Sequence, residues 1–348
     1  MSTVIRPLAE ADLEALSRFL TAGFQTPADA EFAAVDLLRW KFLDPRDDAP
    51  GPRSFVAVDE STGAIVGHVG VCPTAFAAPG LDAAVPALHM IDWLGSREHR
   101  SVGASLMRRA HETAPVQFGL GGSRAGRAVI KRGGYEPMSP VFVYERLLSP
   151  LRRLRAGGLA PKSAARAARD VARGLVHRPG RPALRLELEP VSSFGTEVVE
   201  VVRGASRTAV VTARTPERLN YALRHPRRKP SGFLFRDADG RVRGFALATL
   251  PPGDGGRLVL GRVADLLLDD DDPDAWHGAL LLLSREMGQL GADVAQAFAS
   301  PPWIVEALRR AGFVARHPLD FNLRDRESLL PHDATFYLTP IEADYAYT

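Results

Sequence analysis

The chain has 348 residues, the length of about two ordinary domains, with 45% hydrophobic and 24% charged residues, as in an average soluble globular protein. Its net charge of +3 is only a weak hint of acidic partners, and its single cysteine, Cys72, excludes an internal disulfide and any cysteine zinc cluster. No run of about 18 apolar residues offers a membrane span, and the opening Met1 to Pro7 lacks the apolar core of a signal peptide, so a cytoplasmic setting is expected.

Val4 to Arg6 reads as a short strand. Ala9 to Phe24 places Leu13, Leu16, Phe19 and Leu20 at helical spacing, and Val35 to Phe42 is a second helix. Ser54 to Val58 and Ala64 to Val71 form a hairpin around Ser61-Thr62-Gly63. Leu88 to Leu94 is a buried-type strand, Val102 to Thr113 a helix bounded by Pro115, and Gln117 to Leu120 a strand. Arg124 to Arg132 is a short helix closed by Gly133-Gly134, and Val141 to Leu147 a last strand. The element order then begins again: a strand over Leu186 to Pro190, a helix-like stretch over Glu197 to Arg203, and a hairpin of Phe233 to Asp237 with Val242 to Thr249. Arg262 to Leu268, Trp276 to Leu290, Val294 to Phe298 and Trp303 to Arg310 read as strand, helix, strand and helix.

Between the halves, residues 149–184 carry nine arginines and lysines and one acid, Asp170. A basic docking surface and a solvated linker helix are the two readings. The linker is favoured, because no aromatic is interleaved for base stacking and the apolar face is mostly alanine. The expected domains are therefore 1–148 and 185–348, joined by a basic helical linker over 149–184.

The halves share landmarks in one order. Trp40 and Pro45 recur as Tyr221 and Pro226, each 181 positions on. Gly67 recurs as Gly244, Asp92 as Asp265, and Gly134-Tyr135 as Gly312-Phe313, at offsets of 177, 173 and 178. Such a long period signals one fold duplicated, not a solenoid.

The sharpest local signal runs from Met90 to Met107: an apolar strand, a charged loop, then Arg100-Ser101-Val102-Gly103-Ala104-Ser105 opening a helix. Small residues there let main-chain N–H groups approach an anion, and the helix N-terminus adds free donors and a positive dipole. That is a pyrophosphate cradle without the spacing of a P-loop.

At this point the chain resembles the GCN5-related N-acetyltransferases, whose acyl-CoA loop reads Arg/Gln-x-x-Gly-x-Gly/Ala after a central strand. Arg100, Gly103 and Ser105 match, with serine in the last place. Ile5 to Leu13 is similar to the family's first strand and helix, and Gly133 to Pro137 to its Leu-Gly-Phe signature. The resemblance covers residues 3–147 well and 185–340 by element order. It implies an α/β (α+β) fold of two such domains, each a mixed, mostly antiparallel sheet flanked by helices. It implies an acyl-CoA co-substrate, most simply acetyl-CoA, and no metal. Main-chain amides from Ser101 through Val102, Gly103 and Ala104 to Ser105 would bind the pyrophosphate. Trp93, Leu94 and Gly95 would pair with the pantetheine arm where the strands splay.

The implied reaction is acyl transfer to a small amine or amino sugar. The tyrosine that many members place five residues before the Gly-Phe aromatic is replaced here by Ile130, and by Leu308 in the second half. Candidate catalytic groups are His89, Asp92 and Glu98, together with His99, with His89 and Asp92 expected on opposite faces of their strand. The second half has five aspartates, from Asp269 to Asp274, where the Arg-Gly loop would be. They would repel a pyrophosphate, and a helix-capping acidic loop is favoured over a metal site. A catalytically idle acyl-CoA-binding protein is the alternative function, and a carrier-protein acyl donor docking on the basic linker a third. Neither a nucleic acid partner nor a membrane span is expected. The acceptor and the oligomeric state are left open.

Overall fold

A computed structural model describes residues 2–122, 124–149, 185–251, 258–331 and 333–342. The basic segment 149–184 therefore lies outside the described residues, save Ser149.

The first half runs β1 (Thr3–Pro7), α1 (Leu13–Phe24), α2 (Val35–Phe42), β2 (Ser54–Asp59), β3 (Ile65–Ala77), β4 (Val85–Gly95), α3 (Val102–His111), β5 (Val116–Leu120), α4 (Arg124–Arg132), β6 (Glu136–Pro137) and β7 (Val141–Leu147). The second half follows with β8 (Glu187–Val191), α5 (Glu197–Ala205), β9 (Val210–Thr212), α6 (Pro216–Leu223), β10 (Ser231–Arg236), β11 (Val242–Thr249), β12 (Leu260–Leu268), α7 (Pro273–Gln289), β13 (Val294–Ala299), α8 (Pro302–Arg310), β14 (Val314–Leu319), β15 (Phe321–Asp325) and β16 (Phe336–Tyr337). The structure is the expected mixed α/β one, with two mostly antiparallel sheets flanked by helices.

Local chemistry accounts for the elements. Leu13, Leu16 and Leu20 form the buried stripe of α1, which stops where Gln25 turns left-handed at φ 56°. Asp272 caps α7 by accepting the Asp274 amide, with Pro273 at the first helical position. The strands β2 and β12 are buried almost throughout, as interior strands covered on both faces must be.

The sheets do not follow the chain's division into halves. The first orders β1-β2-β3-β4-β5-β15-β6, and the second β14-β7-β13-β12-β11-β10-β8. Each half thus lends a late strand to the other, β7 to the second sheet and β15 to the first. β7 pairs antiparallel with β13 from Leu147↔Val294 to Phe142↔Ala299, while β15 pairs antiparallel with β5 from Phe321↔Leu120 to Asp325↔Val116. The exchange is reciprocal: β15 occupies beside β5 the place that β7 occupies beside β13. A smaller join adds β9 to the end of β3 (Phe76↔Thr212, Ala77↔Val211), with β16 on its far side.

The same two-fold relation governs the seam. Trp40 of α2 stacks on Tyr221 of α6, its own counterpart in the repeat, with ring centroids 5.1 Å apart and planes at 16°. The Tyr221 hydroxyl donates to the Trp40 carbonyl. Arg227 and Arg228 reach back to Asp36 and Glu31 at 2.7 and 2.8 Å. Leu37, Trp40 and Tyr144 of the first half belong to the second half's core cluster.

Separated halves, 1–148 and 185–348, should each leave β5 or β13 as a raw edge, and a raw edge recruits other chains. Expressed alone, each half is expected to aggregate or to lack fixed tertiary structure. Co-expressed, they should assemble into one particle by size-exclusion chromatography. Two halves that are independently folded, monomeric and show sharp melting transitions would contradict the exchange.

Candidate active site

The site is organised by β4. On one edge it pairs with β3 along most of its length. On the other it pairs in parallel with β5 only at Ala87↔Val116, Leu88↔Gln117 and His89↔Phe118. Beyond His89 the two strands part, and the edge of β4 from Ile91 to Gly95 faces an open fork. His89 sits in its crotch: Nε2 accepts the Leu120 N–H at 3.1 Å, and the ring stacks on Phe118 at 4.9 Å.

A bulge in β4 aims the residues beyond. The register slips opposite His68 and Gly70, and Asp92 takes up the slack in the left-handed region, at φ 48°. Aspartate tolerates that region better than most residues, and two contacts hold it there. His68 Nδ1 donates to the Asp92 carbonyl at 2.8 Å while its Nε2 accepts from the Ser54 hydroxyl at 2.8 Å. The buried Lys41 ammonium lies 3.0 Å from Asp92 Oδ2. The bulge also upsets simple alternation. Leu88, Met90 and Trp93 enter the cluster beneath α3, whereas Ile91 and Leu94 pack towards α1 and α2. His89, two residues before Ile91, and Asp92, bonded to α2, therefore share a face. The expectation of opposite faces fails because it assumed an unbroken strand.

The start of α3 lies against the end of β4. A Cβ on Gly95 would stand 3.1 Å from the Gly103 nitrogen, and one on Gly67 would stand 2.4 Å from Val102. Glycine at both places is what lets helix and sheet touch. Trp93 spans the join, its indole N–H donating to the Gly103 carbonyl at 3.0 Å. Ser101 precedes the helix at φ 72°, a left-handed conformation that costs a residue with a side chain ~1–2 kcal/mol. Strain of this kind gathers at ligand-binding turns. The loop before it is pinned by His99, whose Nε2 lies 3.0 Å from Asp59. The Ser61 hydroxyl, then His99 and the Ser61 amide, hold the Asp59 carboxyl well below the usual range. Of the predicted cradle, Arg100, Ser101 and Ala104 are exposed, Gly103 and Ser105 half-buried, and Val102 is packed beneath. Glu98 is exposed on this loop, its amide turned to the Ser96 hydroxyl, and does not converge with His89 and Asp92.

Protons constrain the roles. Burial pushes His68 and His89 down to about 4, so both rings are neutral near pH 7. The His89 Nε2 lone pair receives the Leu120 amide, which puts the ring proton on Nδ1 and leaves no lone pair for proton abstraction. The same holds for His68 between Ser54 and the Asp92 carbonyl. Of the candidate catalytic groups, Asp92 is the acidic one beside the fork, and His99 is engaged by Asp59. His68, Ser54 and Lys41 were missed in the sequence. The one available signal was a histidine inside the apolar run from Ile65 to Val71.

Across β4 from α3, α2 and α6 border a small, partly open cleft lined by Trp40, Lys41, Arg53, Ile91, Arg218 and Tyr221 among others. It lies on the seam between the halves and touches the bulge through Ile91.

The second half repeats the fork and then fills it. β12 and β13 pair only from Leu260↔Val294 to Arg262↔Gln296. Tyr337 enters beyond, its hydroxyl donating to the Leu266 carbonyl at 2.9 Å and its ring edge-on to Trp276. Asp265, the counterpart of Asp92, is fully buried and held by Arg214 at 3.1 Å and by the Thr339 hydroxyl at 2.9 Å. Asp269 and Asp270 are paired with Arg243 at 2.9 and 2.6 Å, and Asp272 is the helix cap.

The buried rings set a pH signature. The folded protein keeps His68 and His89 neutral down to about pH 4, whereas an unfolded histidine protonates near pH 6.5. The unfolded state therefore binds more protons as pH falls, and this stability, full above about 6.5, is lost on the way down to 4. Each ring contributes up to about 3 kcal/mol. Urea midpoints should fall steadily from pH 7 to 4.5, before the carboxylates titrate. A flat profile would mean that the rings are solvated.

No protein-family model matches the sequence, and no curated protein matches it. Solved structures do. Yeast (Saccharomyces cerevisiae) N-myristoyltransferase with bound myristoyl-CoA superposes with a TM-score of 0.61 at 15% identity, covering 93% of this chain and 83% of that one. A GCN5-related N-acetyltransferase from Anabaena variabilis gives 0.59 at 14% identity, over 92% of this chain and 72% of its own. A putative acetyltransferase from Pyrococcus horikoshii gives 0.56 at 14% identity, over 99% and 95%. Identities this low speak for the fold alone. The chain thus has the two-domain fold of the GCN5-related N-acetyltransferases, which N-myristoyltransferase shares.

Proposed function

We propose that this protein is an acyl-CoA-dependent N-acyltransferase, most simply an N-acetyltransferase, acting on a small amine or amino sugar through its first half. The observation that carries the reading is the open fork between β4 and β5, which begins at His89 and leads to the glycine-lined start of α3. An extended pantetheine arm can add to the free edge of Trp93, Leu94 and Gly95 as a strand would. At this helix start the Val102 amide donates to the His99 carbonyl at 3.4 Å and the Ser105 amide to the Ser101 carbonyl at 2.9 Å, so the N–H groups of Ser101, Gly103 and Ala104 are the ones that offer the pyrophosphate donors, with a positive dipole behind them. Arg100 adds charge at the same mouth.

The amine nitrogen attacks the thioester carbonyl carbon, the C–S bond breaks as the nitrogen gives up a further proton to solvent, and the departing CoA thiolate takes a proton from solvent. The ammonium must first lose a proton, and Asp92, directly or through water, is the group we assign to receive it. Lys41 keeps that carboxylate in place. His89 keeps the fork open by capping the Leu120 amide. Glu98 remains an exposed loop residue with no part in the step.

In the second half Tyr337 and Thr339 stand where the fork would take a ligand, which supports a single acyl-CoA site per chain. A second reading, acyl-CoA binding without turnover, draws on Ile130 in the place of the usual tyrosine and on the two committed histidines.

Calorimetric titration with acetyl-CoA, and with a long-chain acyl-CoA, separates these readings when paired with CoA release across a panel of amines. Saturable binding is expected in the wild type and at least a tenfold weaker affinity in Gly103→Glu. A side chain there meets Trp93 at an ordinary 3.5 Å, so the variant should fold and act by repelling the pyrophosphate. Asp92→Asn should lower turnover at least tenfold with acyl-CoA affinity unchanged. Binding with no turnover on any amine would favour the second reading, and no acyl-CoA binding at all would end the first.

A further inference from the structure

The cleft on the seam has a charge imbalance. Lys41, Arg46, Arg53 and Arg218 line it, and among the described residues no carboxylate does. Three of these cations are compensated from behind: Lys41 by Asp92 at 3.0 Å, Arg46 by Asp48 at 3.1 Å, and Arg218 by Glu342 at 2.9 Å. Arg53 is not. It is 4% exposed, and among the described residues its guanidinium reaches the Asp44 carbonyl and, at 3.4 Å, the Tyr221 hydroxyl. Neither group carries a charge to match it.

Crowding sharpens the imbalance. The guanidinium carbons of Arg46, Arg53 and Arg224 stand 5.3, 5.5 and 5.4 Å from the Tyr221 ring centre. Stacking on the ring eases each cation; Arg224 is exposed to solvent, but Arg46 and Arg53 are largely out of water, where like charges repel one another. An uncompensated buried guanidinium is costly to keep. Its planar fork of donors is matched to a carboxylate or a phosphate.

Position gives the imbalance a use. Ile91, on the wall of this cleft, precedes Asp92 at the bulge, where the free edge of β4 begins. A molecule anchored at Arg53 lies on the acceptor side of the strand that borders the fork.

We propose that the acceptor carries an anionic group, a carboxylate or a phosphate, besides its amine, and that Arg53 with Arg46 holds this group so that the amine meets β4 at Ile91 and Asp92. The proposal rests on the acyl-transfer reading and narrows it: polycationic amines are excluded as good substrates, and amino acids or phosphorylated amines are favoured.

Trp40 lines the cleft, so its fluorescence can report occupancy of the full-length protein without turnover. The probes are β-alanine, O-phosphoethanolamine and ethanolamine at equal ionic strength. At least one anionic probe should bind tenfold or more tightly than ethanolamine, and β-alanine against phosphoethanolamine tells carboxylate from phosphate. The gap should close in Arg53→Gln and survive in part in Arg53→Lys. Equal binding of all three by the wild type would overturn the proposal without recourse to any variant, as would a gap that persists in a folded Arg53→Gln. Acetyl-CoA titration is run apart. Its failure strikes the acyl-transfer reading, whereas failure of the anion preference with acetyl-CoA binding intact strikes this proposal alone.

Discussion

The reciprocal exchange of β7 and β15 is the constraint from which the rest follows. Each sheet is closed on its sixth place by a strand from the other half, so the halves cannot separate without breaking two interior ladders. That fixes their relative position and brings α2 onto α6. Trp40 meets Tyr221 because equivalent surfaces on a two-fold axis contact themselves, as in a symmetric dimer. The cleft, with Arg53 from one half and Arg218 from the other, exists only because this axis is held.

Within that frame, the two forks show how one backbone serves opposite ends. Both open where the parallel pairing stops after three residues, since α3 and α7 each fill the crossover between strands that then diverge. In the first half, glycines at 67 and 95 seat the helix close, and the fork is lined by backbone. In the second, Tyr337 gives its hydroxyl to a main-chain carbonyl inside the fork, and an ion pair of Asp265 with Arg214 closes the space behind. A buried pair of this kind is weak as a source of stability, but it fills the volume and satisfies the polar groups that a ligand would otherwise meet.

Much of this was legible in the sequence. The helices over Val35 to Phe42 and Arg124 to Arg132, and the strands over Val141 to Leu147 and Val242 to Thr249, match their periodicity, because local pattern decides where a chain coils or extends. The Gly103 region stood out since close approach of main-chain N–H groups to an anion demands small residues. The exchange was not legible: Phe321 to Asp325 is as good a strand beside β5 as beside β13, and pairing partner is a long-range choice that no window of residues records. The shared face of His89 and Asp92 was lost for a similar reason. A bulge needs one residue in the left-handed region, and Asp92 advertises that no more than any other aspartate. Nothing in the helix from Val35 to Phe42 marks Lys41 as buried, since its burial is set by a strand fifty residues away.

The placement of β15 also bears on how the chain is made. The first sheet lacks its neighbour for β5 until residues 321–325 have left the ribosome, some two hundred residues after β5 itself. At ~5–20 residues per second, that edge waits for roughly 10–40 s. Strands with unpaired N–H and C=O groups are the segments that recruit wrong partners, so the first half spends its synthesis as a nearly finished sheet with one open side. The cell must either shield it or tolerate loss there.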